Sequence, residues 1–236
     1  MKIGIISDIH GNILALETIF QEFKKQKIEQ VLCCGDVIGL GPHPEEAVQF
    51  LMQQKNVIGV RGNHEGYLLD GIPDFIHGRP IREVERAHHE WVHQCLSKES
   101  ISYLHSFKKE EYIEIEGKKI YITHYPQESD GTYKQFYLKA SEEEMKNLFQ
   151  GIEADFCFYG HTHILNTQEV NGKKMINVGS LGCSVKENYA YVGILEIDQG
   201  QSNYQVMKVE YNANIVREEI QRMNYPFAEE ALFKFF

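Results

Sequence analysis

Ile3-Gly4-Ile5-Ile6-Ser7-Asp8-Ile9-His10-Gly11-Asn12 is an apolar, β-branched run that breaks off at a carboxylate and an imidazole. Ile3–Ser7 has the length of a strand and shows no polar alternation, so it reads as a strand covered on both faces. The period then changes. Leu16, Ile19, Phe20 and Phe23 fall at i, i+3, i+4 and i+7, one face of a helix over Asn12–Lys27, with Asn12 as its N-cap. A second apolar run, Val31–Cys34, leads into Gly35-Asp36. A second helix is predicted from Pro44, with Glu45 and Glu46 in the first turn, where acidic side chains suit the helix dipole. A third run, Val57–Val60, leads into Gly62-Asn63-His64-Glu65. Asp8 to Asp36 is 28 positions and Asp36 to Asn63 is 27, each the length of one strand-helix-strand unit. The chain therefore opens as an α/β protein.

Further runs of strand length are Ile120–Thr123, Phe156–Tyr159, Met175–Val178 and Tyr191–Ile197. Tyr67–Lys109 is more polar and reads as helical, most clearly over Glu83–Leu96. From Lys118 the chain is strand-rich, interrupted near Ser141–Gln150, where Ser141 and Glu144 have the spacing of a capping box. The tail alternates over Tyr204–Tyr211 and turns helical over Ile215–Met223. With no internal repeat, low-complexity stretch or linker, residues 1–236 read as one domain. Phe233, Phe235 and Phe236 are expected to pack against the chain's own core, with a subunit contact as the other reading.

Hydrophobic residues at 42% and charged residues at 25% mark a globular chain. Lys and Arg number 24 against 34 Asp and Glu, a net charge of −10, which excludes binding along a nucleic-acid backbone. A phosphorylated substrate stays open, because bound cations would reverse the local sign. Cys33, Cys34, Cys95, Cys157 and Cys183 form no CxxC pair and read as reduced structural thiols, so a cytoplasmic protein is expected. The first strand starts at once, without a signal peptide, and no stretch approaches 18 apolar residues, so no membrane span is expected. An oligomer remains open.

The chemistry lies where the apolar runs end. Asp8-Ile9-His10, Gly35-Asp36, Gly62-Asn63-His64-Glu65, His124 and Gly160-His161-Thr162-His163 each follow one such run. In open α/β sheets, ligands bind outside the carboxyl ends of the strands, so these groups are aimed at one place. Carboxylate, imidazole and amide without thiolate suit Mn, Fe, Co, Ni or Zn. Asp8, His10, Asp36, Asn63, His124, His161 and His163 are too many for one ion and suit two divalent ions sharing a carboxylate. The i, i+2 spacing of Asp8/His10 and of His161/His163 predicts that each pair shares a face. Glycines at 35, 62 and 160 would let the backbone approach closely.

In this order the motifs resemble the calcineurin-like metallophosphoesterases. The likeness runs from the first strand to Asn177-Val178-Gly179-Ser180. Asp8-Ile9-His10-Gly11-Asn12 and Gly39-Leu40-Gly41-Pro42 bring it nearest to the small bacterial and archaeal phosphodiesterase-type branch. The resemblance implies a four-layer αββα fold with two mixed β-sheets. It implies that Asp8, His10, Asp36 and His163 hold one ion, that Asp36 bridges, and that Asn63, His124 and His161 complete the second. His64 would protonate the leaving oxygen or stabilise charge on the phosphoryl group, with a small phosphodiester or nucleotide as substrate.

There are departures and rivals. Tyr125-Pro126 follows His124 where the family often has glycine, which is expected to narrow the site. Leu40 stands where the Ser/Thr phosphoprotein phosphatases carry an arginine, which weakens that alternative. Asn12, Arg61 and His43 are candidate substrate contacts, although Asn12 also reads as a cap and Arg61 as structural. His77, His88 and His105 read as surface or packing residues. His89-Glu90-Trp91-Val92-His93 matches the HExxH signature of zinc proteases, but it lacks a third ligand, and Trp91 and Val92 suit the buried face of a helix. A catalytically silent scaffold, as the retromer subunit of this fold is, would be expected to have a damaged site. Here the expected ligands and His64 are all present.

Overall fold

The computed structural model describes residues 1–76, 78–184 and 187–236; His77 lies outside them. β1 (Lys2–Ile6), α1 (Ile13–Gln26), β2 (Gln30–Cys33), α2 (Pro44–Met52) and β3 (Val57–Gly59) form the two strand-helix-strand units, with parallel strands. Asn12 caps α1 as the sequence suggests, its Oδ1 accepting from the Ala15 amide at 3.1 Å. α3 (Asn63–Leu69) begins inside the third motif. A short strand pair, β4 (Phe75–Ile76) and β5 (Arg79–Pro80), then leads to α4 (Glu83–Cys95) and α5 (Lys98–His105). The second half contains β6 (Glu110–Ile115), β7 (Lys118–Thr123), α6 (Glu142–Leu148), β8 (Phe156–Tyr159), β9 (Asn166–Val170) and β10 (Lys173–Asn177). β11 (Tyr189–Asp198) and β12 (Gln201–Glu210) precede α7 (Ala213–Met223) and α8 (Ala228–Lys234).

Two five-stranded mixed sheets result, in the orders β12-β11-β1-β2-β3 and β6-β7-β8-β10-β9. The strands of the apolar runs carry apolar residues on both faces, and each face has its own cover. Ile3, Ile5 and Leu32 of the first sheet meet Ile122, Phe158 and Ile176 of the second in a dry core between the sheets. The alternate residues Ile6 and Cys33 face the other way, onto Leu16, Ile19 and Phe23 of α1. On the far side Tyr121 and Cys157 pack on Met145 and Leu148 of α6. The layers are helix, sheet, sheet, helix, the αββα arrangement the resemblance implies. Burial on both faces is why these runs show no polar alternation. β6 and β9, with no such run to mark them, border their sheet on one side each, and every other residue of β6 is exposed. Among the described residues no helix is long and apolar enough to cross a membrane.

Candidate active site

Five strands end around one hollow, but they come from two sheets and not from one. β1, β2 and β3 of the first sheet lead to Asp8 and His10, to Asp36, and to Asn63 and His64. β7 and β8 of the second lead to His124 and to His161 and His163. The ligand-bearing loops are not continuations of the strands. Asp8, His10, Asp36, His161 and His163 have φ of 53°, 49°, 53°, 71° and 60°, the left-handed region that non-glycine residues avoid. This corrects the expectation from i, i+2 spacing. His161 and His163 do not act on one side: His163 Nε2 lies 3.4 Å from Asp8 Oδ1, whereas His161 Nδ1 lies 2.9 Å from Asn63 Oδ1.

The side chains collect into overlapping groups. Asp8, His10 and His163 form one, Asp36, His124 and His161 another, and His10, Asp36 and His64 a third. Within each group the donor atoms lie within 4.8 Å of one another. Asp36 stands between, with Oδ2 3.2 Å from His124 Nε2 and 3.8 Å from His10 Nε2. The hydrogen bonds show what these atoms lack. His124 Nδ1 contacts the Cys34 carbonyl at 2.8 Å and His10 Nδ1 the Ile38 carbonyl at 3.2 Å. A carbonyl only accepts, so each Nδ1 carries a hydrogen, and each ring in its neutral form turns the lone pair of Nε2 inward. There His124 Nε2 meets Asn63 Oδ1 at 3.1 Å as well as Asp36, and His10 Nε2 meets His163 Nε2 at 3.0 Å. A buried hollow lined by acceptors fits cations. Burial alone would lower the His124 pKa, yet the Asp36 and Asp8 carboxylates and the Cys34 carbonyl together raise it to about 9, so a cation binding at this ring displaces a proton. Burial would raise Asp36, yet the His124, His64 and His10 imidazoles hold it well below the carboxylate range. For His10 burial prevails, at about 4.

Glu65 belongs to the third motif, and its role was not read from the sequence. Its buried carboxylate accepts from the amides of Asp36 (2.9 Å), Val37 (2.9 Å), Ile38 (3.2 Å) and Gly62 (2.7 Å). It thereby ties the loop carrying Asp36 to the start of α3. Burial and the Asp36 carboxylate push it up to about 7 against those amides. The signal was present: an acidic residue three after the turn before a helix is capping-box spacing. On the other side the Asp8 carboxylate accepts from the His161 amide at 3.1 Å, Ser180 Oγ donates to the Asp8 carbonyl at 2.8 Å, and Asn177 Nδ2 donates to the Gly160 carbonyl at 2.7 Å.

A cleft of about 440 Å³ opens over these groups, and His64 lines it. His64 Nδ1 is shielded from solvent without a partner, and the His64 amide donates to Asp36 Oδ1 at 3.0 Å. The three candidate substrate contacts do not line the cleft. Asn12 Nδ2 donates to the Gly182 carbonyl (2.9 Å) and the Tyr211 hydroxyl (3.1 Å). Arg61 donates to the carbonyls of Phe107 (2.7 Å) and His105 (2.8 Å). His43 Nε2 pairs with Glu219 at 3.0 Å. Each is taken up by the fold before any substrate could use it. Tyr125 is fully buried and does not narrow the cleft itself. Its hydroxyl donates to the Gln135 carbonyl, securing the loop whose Phe136 does line the cleft. In the HExxH segment, His89 packs on His64 with ring centroids 5.2 Å apart, and neither His89 nor His93 joins a metal-holding group among the described residues. The aromatic end divides: Phe236 is buried, Phe235 lines the cleft and Phe233 is 72% exposed.

Stacked mixed sheets that hold carboxylates, imidazoles and an amide around one hollow define the metallophosphoesterase class. Residues 1–200 match the calcineurin-like phosphoesterase superfamily domain, and the chain belongs to that family. It is a hydrolase of phosphate esters. A phosphodiesterase of Methanocaldococcus jannaschii is 26% identical over 200 residues, 84% of this chain and 95% of the relative. Among solved structures, a metallophosphoesterase from Sphaerobacter thermophilus superposes with a TM-score of 0.75 at 22% identity, over 99% of this chain and 97% of its own. A hypothetical protein from Pyrococcus horikoshii gives 0.83 at 17% identity, over 99% and 98%. Those two likenesses are of fold.

Proposed function

We propose that the chain hydrolyses a small phosphodiester or nucleotide with two divalent ions, one held by Asp8, His10, Asp36 and His163, the other by Asp36, Asn63, His124 and His161. The observation that carries this reading is the overlap of the donor groups: Asp36 is common to the group with His124 and His161 and the group with His10 and His64, and His10 links it in turn to Asp8 and His163. When bound, such ions supply Lewis acidity to phosphoryl oxygens and a nucleophile drawn from water. Either Mn, Fe, Zn, Ni or Co suits the donors. The protein's own part is orientation and protons. The carbonyls of Cys34 and Ile38 fix the tautomers of His124 and His10. His64 stands at the cleft. Burial holds its imidazole well below its usual range, so the open site keeps it neutral. A phosphoryl anion alongside would favour its charged form, which suits donation to the leaving oxygen.

The reading extends to the whole chain: residues 1–236 act as one domain, since β11 and β12 complete the first sheet and α7 packs on its core. Five unpaired cysteines suit a reducing cytoplasm. Leu40, which lines the cleft, supplies no cation for a phosphoprotein and favours small esters.

The test is turnover of bis(p-nitrophenyl) phosphate and p-nitrophenyl phosphate by metal-stripped protein re-supplied with Mn²⁺, with Asp36→Ala as the control. Diester turnover by the wild type and none by Asp36→Ala is expected. Activity that survives loss of metal binding would sink the two-ion reading, and metal binding without turnover of either ester would favour the scaffold.

A further inference from the structure

The cleft is larger than a phosphoryl group needs. Its volume of about 440 Å³ is that of sites that take a whole organic ligand. Beyond the donor groups its wall carries a run of apolar side chains, Leu40, Ile76, Phe136, Leu138, Phe227 and Phe235, beside the polar Glu85, His88, His89 and Thr162 and the cations Arg79 and Lys234. Two of these rings reach the inner end. Phe136 stacks on His161 with centroids 4.2 Å apart at 27°, and Phe235 lies 5.8 Å from His163. Leu138, 70% exposed, stands at the mouth of the site. The cations of the same wall already have partners. Arg79 holds Glu85 through contacts of 2.8 and 2.6 Å, and Lys234 holds Glu230 at 2.9 Å. A second phosphate would meet cations whose charge Glu85 and Glu230 already offset, whereas an apolar body need only displace water. Phe227, Lys234 and Phe235 also lie beyond residue 200, outside the stretch that matches the family.

We infer that the cleft selects esters with one phosphoryl group and an aromatic or comparably apolar organic group, which Phe136, Leu138 and Phe235 bind. This rests on the phosphoesterase site proposed above and names its substrate class.

Phenylphosphonate and methylphosphonate have no ester bond to cleave and differ only in the organic group. Both are titrated calorimetrically into the Mn²⁺-loaded full chain. Burying the ring against this wall should make phenylphosphonate bind at least about tenfold more tightly. In the double variant Leu138→Ala, Phe235→Ala the preference should shrink to below about threefold with Mn²⁺ stoichiometry retained. Should that variant not fold, Leu138→Ser alone, at an exposed side chain, should still narrow the preference. Equal affinity of the two phosphonates for the wild type, or an undiminished preference in the variants, overturns the inference while leaving the metal site standing. If neither phosphonate binds the Mn²⁺-loaded chain, the phosphoesterase site itself is misread and the inference falls with it.

Discussion

Gly62→Ala should disable the site without unfolding the chain. Gly62 has φ −87° and ψ −173°, extended backbone that alanine adopts freely, so no conformational penalty arises. The obstacle is what a Cβ would meet: Asp36 Oδ1 at 2.0 Å and the Asp36 amide at 2.5 Å. Both fall about an ångström or more short of ordinary contact, and both belong to the residue shared by two of the donor groups. Asp36 cannot rotate away cheaply, because its Oδ1 accepts from the His64 amide and its own amide is held by Glu65. The carboxylate must therefore shift by about an ångström, a displacement that costs on the order of 10²-fold in turnover when it occurs at a reacting centre. Metal affinity should fall by about 10- to 100-fold, the usual effect of disturbing the support of a ligand. Overpacking should lower stability by about 1–3 kcal/mol. Gly66, on the same helix, is the control: a Cβ there meets nothing within 4 Å. Gly66→Ala should raise stability by about 0.5–1 kcal/mol and leave metal binding alone. Mn²⁺ calorimetry, diester turnover and thermal unfolding on both variants give the answer. Wild-type Mn²⁺ affinity in Gly62→Ala would refute the argument that close approach is why residue 62 lacks a side chain.

Other expectations follow from the same contacts. Glu65→Gln replaces an acceptor of four amide hydrogens with a group that is half donor. It should cost about 1–3 kcal/mol in urea unfolding, and a loss under 0.5 kcal/mol would contradict its bracing role. Burial holds His88 down at about 4 from 6.5. Its neutral form therefore contributes stability above pH 6.5 that is lost as pH falls toward 4, about 3 kcal/mol over that window. His88→Gln should flatten this part of the stability profile, and an unchanged slope in denaturant melts at pH 7 and 4.5 would count against it. Arg61→Ala and His43→Ala should keep diester kcat/KM within about twofold, since their hydrogen bonds go to the fold; a tenfold drop with intact metal binding would return them to the substrate.

Fold and site were legible in the sequence to different depths. Runs such as Ile3–Ser7 and Phe156–Tyr159 could be read because both faces of their strands are buried, and continuous apolarity has few other causes at that length. β6 and β9 could not, because neither carries such a run. The ligands could be read because each follows a run that announces itself. Their neighbours were harder. Asn12, Arg61 and His43 have the right chemistry and lie close in sequence to ligands, but proximity along the chain says nothing of which carbonyl or carboxylate claims a side chain first. Phe227 and Phe235 show the reverse case, far from every motif yet brought to the cleft by α8. Glu65 stands inside a motif, yet its role is not legible there, since a carboxylate facing inward to amides looks the same in sequence as one facing a cation.

The deepest difference lies in the backbone. Five residues of the donor groups sit at positive φ, each at an expense of roughly 1–3 kcal/mol, where glycine would be free of it. Glycine cannot serve, because on the proposed reading the side chain is the ligand. The structure therefore has to impose these conformations, and the means are visible. The Gly35 carbonyl receives the Asp8 amide at 3.0 Å, the Asp36 carbonyl receives the His10 amide at 3.0 Å, and Glu65 grips the Asp36 amide. Each of these bonds joins the end of one strand to the end of its neighbour, so the strained loops brace one another while the inter-sheet core holds their bases. Such a frame brings carboxylates, imidazoles and an amide together at hydrogen-bond distance. The strain and the hollow fit one account: on the proposed reading these side chains are ligands held in place ahead of the cation, so that binding need not reorganise them.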